Sequence, residues 1–245
     1  MAQKLKRPGG ELANRPLHFI WMVDCSGSMH GEKIGAVNHA IQSTIPEMRD
    51  AATNNPNAQL LVQTLKFSTG ASWVTSEPVN IEDFAWDDLD ADGVTDLGKA
   101  FELLAAQLTI PPMTDRALPP VLVLLSDGQP TDDYKKNLDK VLHLPWGKKA
   151  VRIAVSIGQD ADDAILQEFT GNRELVLQAN NPQALVKMIK WASTAASLVS
   201  APASKPKDIA DVSIPTGADN DTNAPLVLDM NNIPDPADIG VGDVW

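Results

Sequence analysis

Asp24, Ser26 and Ser28 stand at alternate positions in "DCSGSMHGEK", directly after the apolar run "LHFIWMV". One carboxylate and two hydroxyls so spaced place hard oxygen donors on one short loop, where Gly27 and Gly31 permit a tight path onward. Two further stretches share this character: "DADGVTDLGKA", and "SDGQPTDD" at the end of the apolar run 120–126. A few hard oxygens suit a divalent cation that retains several waters, which is the preference of magnesium; manganese and calcium accept the same donor type.

Such loops need a scaffold that brings them together, and the chain between 17 and 200 reads as one. Continuous β-rich apolar runs fall at 17–23, 58–68, 120–126, 150–158 and 174–179, with a more polar candidate at 71–79. Segments of helical period lie near 33–52, 96–109, 134–143, 162–170 and 182–199, the last opened by Asn181-Pro182. Strands apolar on both faces and alternating with helices predict an α/β fold: a doubly wound, mostly parallel six-stranded sheet with helices on both faces. Only Thr69-Gly70 separates 58–68 from 71–79, so that pair is expected to form an antiparallel hairpin at one sheet edge. In such sheets ligands sit beyond the carboxyl ends of the strands, where strand order reverses. The three oxygen-rich loops follow strands or lead into helices at that level.

Composition narrows the function classes. A chain of 245 residues, 43% hydrophobic and 21% charged, can bury one sizeable core. The expected organisation is an N-terminal extension (1–15), one domain (16–199) and a tail (200–245). A single cysteine, Cys25, rules out an intramolecular disulfide framework and fits a reducing compartment. The apolar run before Asp24 is too short for a signal-peptide core. No run approaches the roughly 20 apolar residues of a membrane helix, so a cytoplasmic location is expected. A net charge of −12 disfavours nucleic acid and anionic membrane as partners. Between Lys205 and Trp245 eight aspartates face two lysines, and the segment is rich in Pro, Gly and Asn. It reads as an extended tail, with apolar clusters at 224–230 and 239–245 and Trp245 as an anchor that could dock on this domain or on a partner.

The oxygen-rich loops resemble those of the von Willebrand factor A (vWA) domain family and its metal-ion-dependent adhesion site. The resemblance spans about residues 16–199. The family pattern is Asp-x-Ser-x-Ser after the first strand, a threonine on a later loop and an aspartate after the fourth sequential strand or its equivalent. Here those positions fall on Asp24, Ser26 and Ser28, on Thr95 in "GVTDLG" and on Asp127 in "LLSDGQPTDD", all without substitution. The resemblance implies that the serines, and the threonine in one conformation, bind Mg2+ directly, that the aspartates act largely through water, and that an Asp or Glu of a protein partner completes the shell. Hydroxyl ligands leave the ion net positive and able to attract that outside carboxylate. "DCSGSMHGEKIGAVNHAI" and "LLSDGQPTDDYKKNL" are similar to the TerY-like bacterial proteins of tellurite resistance and stress response. That likeness implies an adaptor beside a Ser/Thr kinase and a phosphatase. The acidic tail departs from the pattern.

Blander readings stand beside these. Ser26-Gly27-Ser28 taken alone could be a strand-to-helix turn with an N-cap. Asp132 and Asp133 suit capping of the helix that follows them, and Asp96 suits a helix start. His18, His30, His39 and His143 show no zinc-like spacing. Cys25 reads as a small apolar packer. Trp73 and Trp86 could rim an interface or pack at the sheet edge. A different function class, metal-assisted phosphate transfer or hydrolysis through Asp24 or Asp127, lacks an identifiable base, oxyanion motif or phosphate cradle. The expectation is a binding module, not an enzyme.

Overall fold

The computed structural model describes residues 14–200 apart from 56, 57, 128 and 160, and gives the backbone alone at 191 and 194–200. The elements run β1 (Arg15–Asp24), α1 (Glu32–Thr53), β2 (Ala58–Ser68), β3 (Gly70–Trp73), β4 (Val79–Asn80), α2 (Leu97–Gln107), β5 (Val121–Ser126), α3 (Lys135–His143), α4 (Pro145–Lys149), β6 (Val151–Ile157), α5 (Asp163–Thr170), β7 (Val176–Ala179) and α6 (Pro182–Ser200). Single 3-10 turns occupy 27–29 and 173–175.

The strands form one sheet in the order β3-β2-β1-β5-β6-β7, parallel except at the β2 edge. Strand alternation divides the core in two. Leu17, Phe19, Trp21 and Val23 of β1 join Val121, Val123 and Leu125 of β5 under α1 and α6. Ile20, Met22, Leu122 and Leu124 face the opposite way, under α2, α3 and α5. Both faces of the central strands are therefore dry, which is why they read as unbroken apolar runs. No helix among the described residues is long and apolar enough to cross a membrane.

The sheet has seven strands, not the expected six, because the edge segment 71–79 is interrupted. β3 ends at Trp73, and pairing with β2 resumes only at Val79–Asn80, opposite Val62 and Leu61. Between them the Thr64 N–H donates to the Thr75 hydroxyl at 3.4 Å, and Pro78 has no N–H to offer. Both pieces lie antiparallel along the same edge of β2, so the hairpin at that edge is present. The short α4 was not anticipated; Pro145 begins it and Trp146 is buried beneath it. The acidic tail and its expected apolar anchors lie outside the described residues.

Strand order reverses between β1 and β5. From β1 the chain crosses outward to β2, and it later returns to β5 on the other flank of β1. The pairs Phe19–Val121 to Val23–Leu125 hold these two strands in register, so Asp24 and the Ser126-Asp127 pair leave the sheet side by side.

Candidate functional site

At the carboxyl end of β1 the Asp24 side chain is fully buried. One carboxylate oxygen accepts from the Ser26 backbone N–H at 2.9 Å, and the other from the Ser126 hydroxyl at 2.6 Å. These bonds fix the carboxylate and hold the loop in a tight Asx-type turn. The Ser26 and Ser28 hydroxyls lie 3.0 Å apart, Ser26 buried and Ser28 exposed. Met29 is buried beneath the 3-10 turn, and Gly31, at φ 80°, redirects the chain into α1. That backbone is one glycine adopts without strain.

The loop before α2 is stitched to this turn. The Asp92 N–H donates to the Cys25 carbonyl at 2.8 Å, and the Gly27 N–H to the Gly93 carbonyl at 2.9 Å. A Cβ at Gly27 would stand 3.2 Å from that same carbonyl oxygen, so a side chain would push the two loops apart. Thr95 is buried two residues beyond Gly93. Its N–H donates to the Thr131 hydroxyl at 3.2 Å and its carbonyl accepts from the Thr131 N–H at 2.8 Å, which ties it to the loop after β5.

One carboxylate has a role other than the one its sequence position suggested, and another stands at the expected helix start with a further contact. Asp132 was expected to cap α3; instead it accepts from the Gly98 and Lys99 N–H groups at 2.9 and 3.2 Å, capping α2 across two loops. Asp96 occupies the N-cap position of α2, yet its carboxylate accepts from the Gly70 N–H at 2.7 Å and so secures the β2–β3 turn.

Asp127 follows β5 directly and its side chain is wholly buried. Neither carboxylate oxygen accepts a hydrogen bond. The Lys33 ammonium, from the first turn of α1, stands 3.9 Å from one of them. Burial pushes the Asp24 carboxyl above the usual carboxylate range; the bonds from Ser126 and Ser26 oppose that, and the nearby Asp127 charge adds to it. Two buried carboxylates that repel one another, one of them without a hydrogen-bond donor, carry more negative charge than the one Lys33 ammonium beside them offsets. Among the described residues no three His, Cys, Asp or Glu side chains gather as a metal-binding group. A cation here would therefore depend on hydroxyl oxygens as much as on carboxylates. That donor chemistry, with the orphaned Asp127 oxygens, fits a hard divalent ion.

Of the five residues expected at this site, Asp24, Ser26, Ser28 and Asp127 converge at the β1–β5 crevice, and Thr95 lies on the loop bonded to both of their loops. Ser126 and Lys33 complete the arrangement. Sequence reasoning missed both, since a serine at the end of an apolar run and a lysine early in a helix look ordinary until strand pairing places them beside Asp24 and Asp127. Cys25 is buried and its thiol is pushed up to about 12, mainly by burial, so it stays protonated as an apolar packer. His18 is buried in β1, while His30, His39 and His143 are exposed. Trp86 donates to Asn38 at 3.2 Å and packs on the α1 face of the core, and Trp73 packs on the opposite face.

The fold and this oxygen-lined crevice are those of a vWA domain. The sequence profile of the von Willebrand factor type A domain matches residues 20–191, and the chain belongs to this family. No curated protein matches it by sequence. Among solved structures it is similar to the ArnB paralog VWA2 from Sulfolobus acidocaldarius, with 19% identity and TM-score 0.54, over 72% of this chain and 44% of that one. It is also similar to proximal thread matrix protein 1 from the mussel byssus, solved with a zinc-occupied MIDAS motif: 15% identity, TM-score 0.57, 75% of this chain and 48% of that one. A third is BatB from Bacteroides thetaiotaomicron, with 11% identity and TM-score 0.51, over 72% of this chain and 96% of that one. The chain spans less than half the length of the VWA2 and proximal thread matrix protein 1 chains. At these identities the likeness concerns the fold.

Proposed function

We propose that this protein is a divalent-cation-dependent protein-interaction module, with Asp24, Ser26, Ser28, Thr95 and Asp127 as its cation site and Mg2+ as the ion. The observation that carries this reading is the pairing of two buried carboxylates with adjacent serine hydroxyls at the strand-order switch, Asp127 accepting no hydrogen bond. When bound, the ion supplies a residual positive charge facing solvent, which an Asp or Glu from a partner loop neutralises. This chain's residues fix the donors: Ser126 and the Ser26 N–H orient Asp24, and Thr131 clamps the Thr95 backbone.

Binding, not catalysis, is the activity proposed. The Cys25 thiol is held protonated, and the Ser26 and Ser28 hydroxyls hydrogen-bond each other, so neither is set up as an activated nucleophile. The narrower assignment, a cytoplasmic TerY-like adaptor in bacterial tellurite resistance or stress response beside a Ser/Thr kinase and a phosphatase, rests on the sequence likeness of the two loops.

Calorimetric titration with MgCl2 tests the site. Wild type is expected to bind one ion, and Asp24→Asn to bind at least about tenfold more weakly, as expected for a lost charged contact to the ion or its water. In chelator Asp24→Asn should be at least as stable as wild type, because it removes one member of a buried like-charge pair. Unchanged Mg2+ affinity in the variant would show the assignment to be wrong. Partners captured from lysate with magnesium and released by chelator should lose binding when their exposed Asp or Glu is changed to Asn or Lys.

A further inference from the structure

Lys33 has no part in the family pattern, yet among the described residues its ammonium faces the buried Asp127 carboxylate. Its ammonium is 3.9 Å from that carboxylate, and its side chain is only 14% exposed. It reaches this position because Gly31 turns the chain into α1 and so brings the helix's first turn over the crevice. Because the Asp127 oxygens accept no hydrogen bond, the lysine charge supplies close compensation to a carboxylate that also feels Asp24.

We propose that Lys33 is a tethered counter-ion of the site: it balances Asp127 when no divalent ion is bound and, by repelling the incoming ion, sets the affinity for that ion. This rests on the cation-site reading given above. The consequence is a weakened cation site, one that loads fully when a partner carboxylate arrives to share the charge. A unit charge a few ångströms from a divalent ion disfavours it by about a factor of ten even through water, and by more where water is excluded. Lys33 is thus a positioning and affinity-setting residue, not a ligand.

The test uses the full chain with Lys33→Met, which keeps the unbranched stem and removes the charge, alongside Lys33→Arg and Lys140→Met. Lys140 is exposed in the last turn of α3, so its loss changes net charge equally without touching the site. Titration with MgCl2 should show Lys33→Met binding about tenfold tighter than wild type, with Lys33→Arg and Lys140→Met within about threefold of it. In chelator the thermal midpoint of Lys33→Met should fall below that of wild type, and magnesium should raise it further than it raises wild type. Affinity of Lys33→Met that is unchanged or weaker, while wild type still binds magnesium, overturns this proposal and leaves the cation site standing. Absence of magnesium binding in wild type overturns the cation-site reading itself, and the counter-ion role with it.

Discussion

His18 shows how a single residue can tie this fold to pH independently of the cation site. It lies in β1 and is 4% exposed, with Nδ1 lacking a hydrogen-bond partner. Burial lowers its pKa below the ordinary 6.5. The unfolded chain therefore binds a proton at about 6.5 that the folded chain refuses. Stability from this group is complete above that value and is lost as pH falls toward the depressed folded value, by up to about 1.4 kcal/mol per pH unit. His18→Leu should flatten that dependence. Chemical denaturation at pH 7.5 and 5.5 is expected to show the variant level with wild type, or slightly ahead, at the higher pH and clearly ahead at the lower. An identical loss in both proteins would place the acid sensitivity elsewhere.

The loops around the site stay in place through contacts between elements, and Asp132 makes the point testable. Its carboxylate does not cap α3 but accepts from two otherwise orphan N–H groups at the start of α2, on the far side of the Thr95 loop. Asp132→Ala should cost about 1 kcal/mol in chelator, as loss of an N-cap does, and Asp132→Asn should recover most of it. Unchanged unfolding in the alanine variant would show the cap to be energetically idle. Strands such as 17–23 and 120–126 were legible because burial on both faces writes an uninterrupted apolar run. The long helices were legible from their period, and Asp24, Ser26 and Ser28 from spacing alone. The two-residue β4 exists only because β2 supplies a partner. The five-residue α4 is too short to show a period and is held by burial of Trp146. Asp132 reaches α2 from 34 residues away, and Lys33 meets Asp127 only after β1 and β5 pair. Long-range contacts of that kind leave no local signature.

At the scale of the whole molecule the net charge of −12 is unevenly distributed, the stretch from Lys205 to Trp245 contributing −6. Among the described residues both faces of the sheet are covered, and α6 closes the α1 face with Leu185, Met188, Ile189 and Ala192, all buried. A chain of residues 14–200 is therefore expected to fold with a thermal midpoint in chelator within roughly 2 °C of the full protein, a difference below about 1 kcal/mol. Charge acts over about 8 Å at physiological ionic strength but about 30 Å at 0.01 M. Removing the acidic segment should then leave Mg2+ affinity unchanged near 0.15 M salt and lower it modestly at 0.01 M, where distant aspartates still attract the ion. Calorimetry at the two ionic strengths separates this from direct participation, in which the truncated chain would lose affinity equally in both. Capture of partners from lysate should weaken on truncation, and hydrogen exchange across 224–230 and 239–245 should slow when a partner is present, because those apolar clusters are the part of the acidic segment able to bury surface. Exchange that stays uniformly fast with partners bound would leave the segment a solubilising role alone.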